Sequence, residues 1–93
     1  MSSLETNVWP IIWNVALYAP VVTGEFGEWD CNTVYTVPFM NFADAHGISY
    51  LAWAWNPQGC AYFPALVSDF SGTPTPYGLG LKNQLEKLAG QGR

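Results

Sequence analysis

Ala19-Pro20-Val21-Val22-Thr23-Gly24-Glu25-Phe26-Gly27-Glu28 is the stretch from which the fold is read. Pro20 cannot continue a helix, and it pushes Ala19 toward extended geometry. The β-branched run Val21-Val22-Thr23 then favours a strand, and its near-continuous apolar character predicts one buried on both faces, as in parallel sheets. Glu25 falls at the carboxyl end of that strand, between Gly24 and Phe26-Gly27. In α/β folds this edge of a parallel sheet is where ligands bind. The same position also suits a glutamate that caps the next helix or meets solvent.

Before this strand, Leu4, Val8, Ile11, Ile12, Val15 and Ala16 recur at helical spacing. The spacing from Leu4 to Leu17 makes one helical face, and the helix proper is expected to start near Thr6 or Asn7 as N-cap, with Pro10 in the first turn, where its missing N–H costs nothing. After it, the residues from Val34 to Ala45 predict a second helix, with Phe39, Phe42 and Ala43 on one face and His46-Gly47 as its stop. Ile48 to Trp55 alternates large and small side chains, Leu51, Trp53 and Trp55 one way and Tyr50, Ala52 and Ala54 the other, which is a strand pattern. Asn56-Pro57-Gln58-Gly59 ends it. A loop rich in Pro, Gly and Ser runs to Pro76, and Leu79, Leu81, Leu85 and Leu88, with Lys82 and Glu86 at i, i+4, predict a closing helix that stops at Gly90. The order helix, strand, helix, strand, helix calls for an α/β fold with a parallel sheet and a crossover helix. Two strands joined by one helix leave both sheet edges open, so the chain reads as part of something larger.

Composition narrows the function. At 93 residues the chain is one domain at most, about a third of the ~250 residues of a (β/α)8 barrel. With 49% hydrophobic, 16% aromatic and 11% charged residues it is neither disordered nor a coiled coil. A net charge of −4 leaves no basic patch for phosphates, so nucleic acid is a poor candidate partner and none is expected. No apolar run reaches the ~18 residues of a membrane span, and Met1-Ser-Ser-Leu-Glu is not a signal peptide. Cys31 and Cys60 form no CxxC pair and the chain has a single His, so neither a metal site nor a cofactor is expected. The cysteines are read as a disulfide, with two buried free thiols as the alternative. A bridge would stabilise the fold by about 3.5 kcal/mol and indicates an oxidising compartment. Trp53 and Trp55, at the end of the second strand, share an edge with Glu25. Aromatic faces beside a carboxylate suit sugars, whose C–H groups stack on rings.

The stretch Ala19 to Glu28 resembles the seventh strand of glycoside hydrolase family 5, the cellulase family. Tyr50-Leu51-Ala52-Trp53-Ala54-Trp55-Asn56-Pro57 resembles the eighth, and Leu66 to Gly78 the segment leading into the last barrel helix. The likeness covers essentially the whole chain. It implies a single partial domain over residues 1–93: the C-terminal fragment of a (β/α)8 TIM barrel, from helix 6 through strand 7, helix 7 and strand 8 to helix 8. It further implies a retaining, secreted enzyme acting on a polysaccharide or oligosaccharide, with Glu25 as nucleophile and Trp53 as the floor of the subsite for the sugar to be cleaved. No roles follow for Glu28, Trp29, Asp30 or Asn56, and His46, at the opposite end of the barrel, is read as structural. A retaining glycosidase needs a second carboxyl group about 5 to 5.5 Å from the nucleophile. The family supplies it from an Asn-Glu pair ending the fourth strand, and this sequence has no Asn-Glu dipeptide. The chain alone is therefore expected to be inactive, its partner being the N-terminal remainder of the barrel. Two other readings compete: a small secreted carbohydrate-binding module, and an interaction domain with no ligand site.

Overall fold

The structure, a computed structural model, describes residues 7–61 and 63–91. Its elements follow in the order α1 (Trp9–Ala16), β1 (Val22–Phe26), α2 (Thr36–Ala45), β2 (Ser49–Ala52) and α3 (Pro76–Gly90). β1 and β2 are parallel neighbours in a two-stranded sheet, so the chain is mixed α/β with the alternation expected from its sequence.

The two strands do not run in simple register. Val22 lies opposite Ser49, but Glu25 lies opposite Leu51 and Phe26 opposite Ala52, so β1 carries one extra residue between Val22 and Glu25. Such a bulge re-aims the residues beyond it, here the end that carries Glu25. β1 departs from the expectation of burial on both faces. Phe26 is buried, whereas Val22, Gly24 and Glu25 are exposed. α2 and α3 meet Phe26 on one face of the sheet through Phe39 and Tyr77, α1 packs against α2 through Trp9, and no described element covers the other face.

β2 is also shorter than the alternating pattern of Ile48 to Trp55. The Trp53 N–H still donates to the Phe26 carbonyl at 3.0 Å, but Ala54 then turns to a different partner. Its N–H donates to Pro64 and its carbonyl accepts from Leu66, each at 3.0 Å. The peptide bond Trp53–Ala54 is cis.

In α1 the start of the expected helix, with Leu4 and Thr6, lies outside the described residues. The inward stripe is Trp9, Ile12 and Ala16, while Val8, Ile11 and Val15 are exposed. Of the two tryptophans of this helix, Trp9 is 8% exposed and Trp13 46%, and it is Trp9 that enters the aromatic cluster of α2. Its ring stacks on Phe42 at 4.7 Å and meets Phe39 edge-on at 5.9 Å. In α2 Phe39 and Ala43 are buried as their pattern predicts, but Thr36 and Met40 are buried with them, and Phe42 is only half-buried, stacked against the Trp9 ring. α3 starts at Pro76 behind an N-cap, Thr75, whose hydroxyl accepts the Gly78 N–H at 3.1 Å and donates to the Ala65 carbonyl at 2.6 Å. The buried side of α3 is Tyr77, Gly78 and Gln84, with Leu81 and Leu88 half-buried, and Leu79 and Leu85 face outward, contrary to the leucine stripe. Gln84 sits inside because Nε2 donates to Asp44 Oδ2 at 2.6 Å and to Asn41 Oδ1 at 3.1 Å, linking α3 to α2. The Tyr50 hydroxyl donates to the other Asp44 oxygen at 3.0 Å and brings β2 into the same cluster.

Cys31 and Cys60 form a disulfide with a Cα–Cα distance of 5.4 Å, which removes the free-thiol alternative. Cys31 follows β1 and Cys60 follows β2, so the bridge ties together the two segments that leave the carboxyl edge of the sheet.

Candidate functional site

The carboxyl edge of the sheet brings Glu25 and Trp53 onto adjacent strand ends. Glu25 stands opposite Leu51, and Trp53 follows Leu51 by two residues and is bonded through its amide to Phe26. Alternation then sorts the side chains. Phe26, Ala52 and Ala54 turn toward the helices, while Glu25, Leu51 and Trp53 are exposed on the uncovered side. Trp53 is 47% exposed, with one flank against the Phe63 ring at 6.3 Å, so a face of the indole is available to a ligand. Among the described residues nothing hydrogen-bonds the Glu25 carboxylate.

The other carboxylates of the described residues are mostly committed to local structure. Glu28 Oε1 accepts the backbone N–H of Tyr35 and, at 3.1 Å, of Thr36, so Glu28 and not Glu25 caps the following helix. The positive end of the α2 dipole favours a carboxylate there. Burial, and secondarily the Glu28 charge, raise the pKa of the Tyr35 phenol. Asp30 accepts the Asn32 N–H at 2.9 Å. Asp69 closes a tight loop by accepting from the Thr73 hydroxyl at 2.7 Å and from the Ser71 and Thr73 amides. The Thr73 hydroxyl first, and then the backbone amides, hold its carboxyl below the usual range. Glu86 lies beside an apolar groove of about 440 Å³ between α3 and residues 66–74, of which Trp55 forms one wall. No carboxylate among the described residues is paired with Glu25.

Trp29 is 70% exposed in the loop after β1. The Asn56 backbone N–H donates to the Ala54 carbonyl at 2.9 Å. The His46 ring packs 4.5 Å from Trp13 and 4.8 Å from Phe42, at the amino end of β2 and away from Glu25. No group of three His, Cys, Asp or Glu side chains among the described residues is placed to hold a metal ion. None of the described helices is long and apolar enough to cross a membrane.

Two residues at this edge escaped the reading of the sequence. Gly27 lets the chain leave β1 beneath Trp53: a Cβ there would lie 2.9 Å from the Trp53 carbonyl oxygen and 2.7 Å from Pro64 Cβ. Tyr77 is fully buried, and its hydroxyl donates to the Phe26 carbonyl at 2.7 Å. Its only local signal is the helix start Thr75-Pro76-Tyr77-Gly78, which marks the element and not the contact. No protein-family model matches the chain, and no curated protein and no solved structure matches it.

Proposed function

We propose that this chain is the nucleophile-bearing C-terminal part of a retaining, cellulase-like O-glycoside hydrolase that degrades polysaccharide outside the cell, and that it is inactive alone. The observation that carries the reading is the parallel register that puts Glu25 and Trp53 at the same carboxyl edge, Trp53 two residues beyond the position opposite Glu25, with both side chains exposed. In a (β/α)8 barrel the uncovered face is the interior and that edge is the mouth. A sugar stacked on the Trp53 indole would present its anomeric carbon to Glu25. The carboxylate attacks, the bond to the leaving oxygen breaks, and that oxygen takes a proton from an acid lying outside this chain. Water then hydrolyses the glycosyl ester with the same outside group acting as base. The exposed sheet face and a radius of gyration of 13.8 Å, against the ~12 Å of a compact chain of this length, support the view that other barrel units complete the core. The disulfide supports secretion.

The test is to extend the reading frame upstream of the Met1 codon, express the resulting polypeptide, and treat it with a 2-deoxy-2-fluoroglucoside bearing a good leaving group. Peptide mass spectrometry is expected to find the fluoroglucosyl adduct on Glu25, and Glu25→Gln to abolish it. Hydrolysis of a soluble cellulose derivative with the adduct on another residue would refute the assignment, and so would tight oligosaccharide binding with no hydrolysis.

A further inference from the structure

We infer that Tyr77 is a positioning residue for the Glu25–Trp53 edge, its hydroxyl fixing the backbone of the two strand ends from beneath. The inference rests on the glycosidase reading for its effect on rate. The geometry is a convergence on one atom. The Phe26 carbonyl oxygen, one residue past Glu25, accepts the Trp53 N–H at 3.0 Å from β2 and the Tyr77 hydroxyl at 2.7 Å from α3. The Tyr77 ring meets Phe26 edge-on at 6.1 Å and 74°, so the phenol cannot swing away without disturbing the core.

Tyr77 is itself held. Its neighbour Thr75 is bonded to the Ala65 carbonyl, and Gly78 lies directly against the Leu66 carbonyl, so the start of α3 has no room to slide. Gly27 closes the other side by its approach to the Trp53 carbonyl. Without the hydroxyl, the Phe26 peptide keeps one of its two donors and can rotate, which tilts Glu25 relative to the indole. Misplacement of a reacting group by about 1 Å can cost on the order of 10²-fold in rate, even where binding is intact. Burial pushes the Tyr77 pKa up to about 12, so the phenol remains a donor throughout the pH range of such an enzyme.

The extended polypeptide and its Tyr77→Phe variant are compared for the rate of inactivation by the 2-deoxy-2-fluoroglucoside. The expected result is an inactivation rate at saturating probe about tenfold lower, with the half-saturating concentration changed by less than twofold. Hydrogen exchange of the Trp53 amide is expected to accelerate at least tenfold, with the amides inside α2 unaffected. Gln84→Ala, which loosens α3 from α2 far from the edge, serves as the stability control and is expected to inactivate at the wild-type rate. A Tyr77→Phe rate equal to wild type, or one that falls only as far as Gln84→Ala does, overturns the proposal while leaving Glu25 as nucleophile. A wild-type protein that is never labelled on Glu25 overturns both readings. In the wild-type protein alone, the Tyr77 hydroxyl proton is expected to exchange slowly with water, and a hydroxyl in fast exchange overturns the proposal without any variant.

Discussion

Gly78 faces the Leu66 carbonyl so closely that a methyl group has no place to go, and Gly27 is wedged between Pro64 and Trp53, whereas Gly24 has open space where a methyl group would sit. These environments predict three outcomes for one type of substitution. Gly78→Ala forces α3 off the 65–67 segment and is expected to cost about 3 kcal/mol, the upper range for overpacking. Gly27→Ala is expected to cost about 2 kcal/mol, and Gly24→Ala to be neutral or slightly stabilising, since alanine loses less backbone freedom than glycine in a strand. Urea unfolding of the three variants checks the order. The buried phenol of Tyr77 gives a second residue-scale prediction. Its pKa rises from 10.0 to about 12, so the folded state holds the proton more tightly than the unfolded state does. The stability this contributes is fully present below pH ~10 and is lost as the pH rises toward ~12, on the order of 2 kcal/mol in all. Urea midpoints at pH 9 and 11.5 should fall further for wild type than for Tyr77→Phe. The placement of Glu25 and Trp53 at the carboxyl ends of the two strands was legible because each ends an apolar or alternating run, and strand ends are visible in a pattern. Tyr77 was not, because its partner is a backbone carbonyl 51 residues away, and nothing in its own neighbourhood encodes that distance.

At the scale of elements, the order and type of the five described ones were legible, but not which side of each helix faces in. α1 has apolar residues on two sides, Trp9, Ile12 and Ala16 on one and Val8, Ile11 and Val15 on the other. Periodicity finds an apolar face and cannot rank two of them. In α3 the misleading signal was the leucine spacing. The inward positions are Tyr77, which reaches a carbonyl, Gly78, which permits close approach, and Gln84, which is bonded to Asn41 and Asp44. β2 ends early because backbone partners in the 64–66 segment compete for Ala54, a contact set by the loop that Cys60 anchors. That disulfide closes a sequence separation of 29. Its loss is expected to reduce stability by about 3.5 kcal/mol through the entropy of the unfolded chain. Urea unfolding with and without dithiothreitol, and of the Cys31→Ser/Cys60→Ser double variant, measures it. Coincident curves would mean that the loops after β1 and β2 hold together without the bridge.

The molecule measures 41 × 32 × 20 Å, and one face of its two-stranded sheet is covered by no described element. Val22 is 64% exposed and Leu51 58%, on adjacent strands, and a surface of that kind is normally covered. Two interpretations of it diverge at a single residue. If the bare face is simply the outside of a small domain, Leu51→Lys places a charge in water and changes stability by less than about 0.5 kcal/mol wherever the chain is found. If the face is the interior of a barrel completed by other units, the same substitution is harmless in the 93-residue chain and reduces its self-association. In the extended polypeptide it buries an unpaired ammonium, at a cost of several kcal/mol. We expect the second pattern: sedimentation velocity should show the isolated Leu51→Lys chain less associated than wild type, and thermal unfolding should show the extended Leu51→Lys polypeptide unfolded or strongly destabilised. Equal tolerance in both contexts would mean that the bare face is not a barrel interior, and the site at the Glu25–Trp53 edge would then have to work without a surrounding barrel.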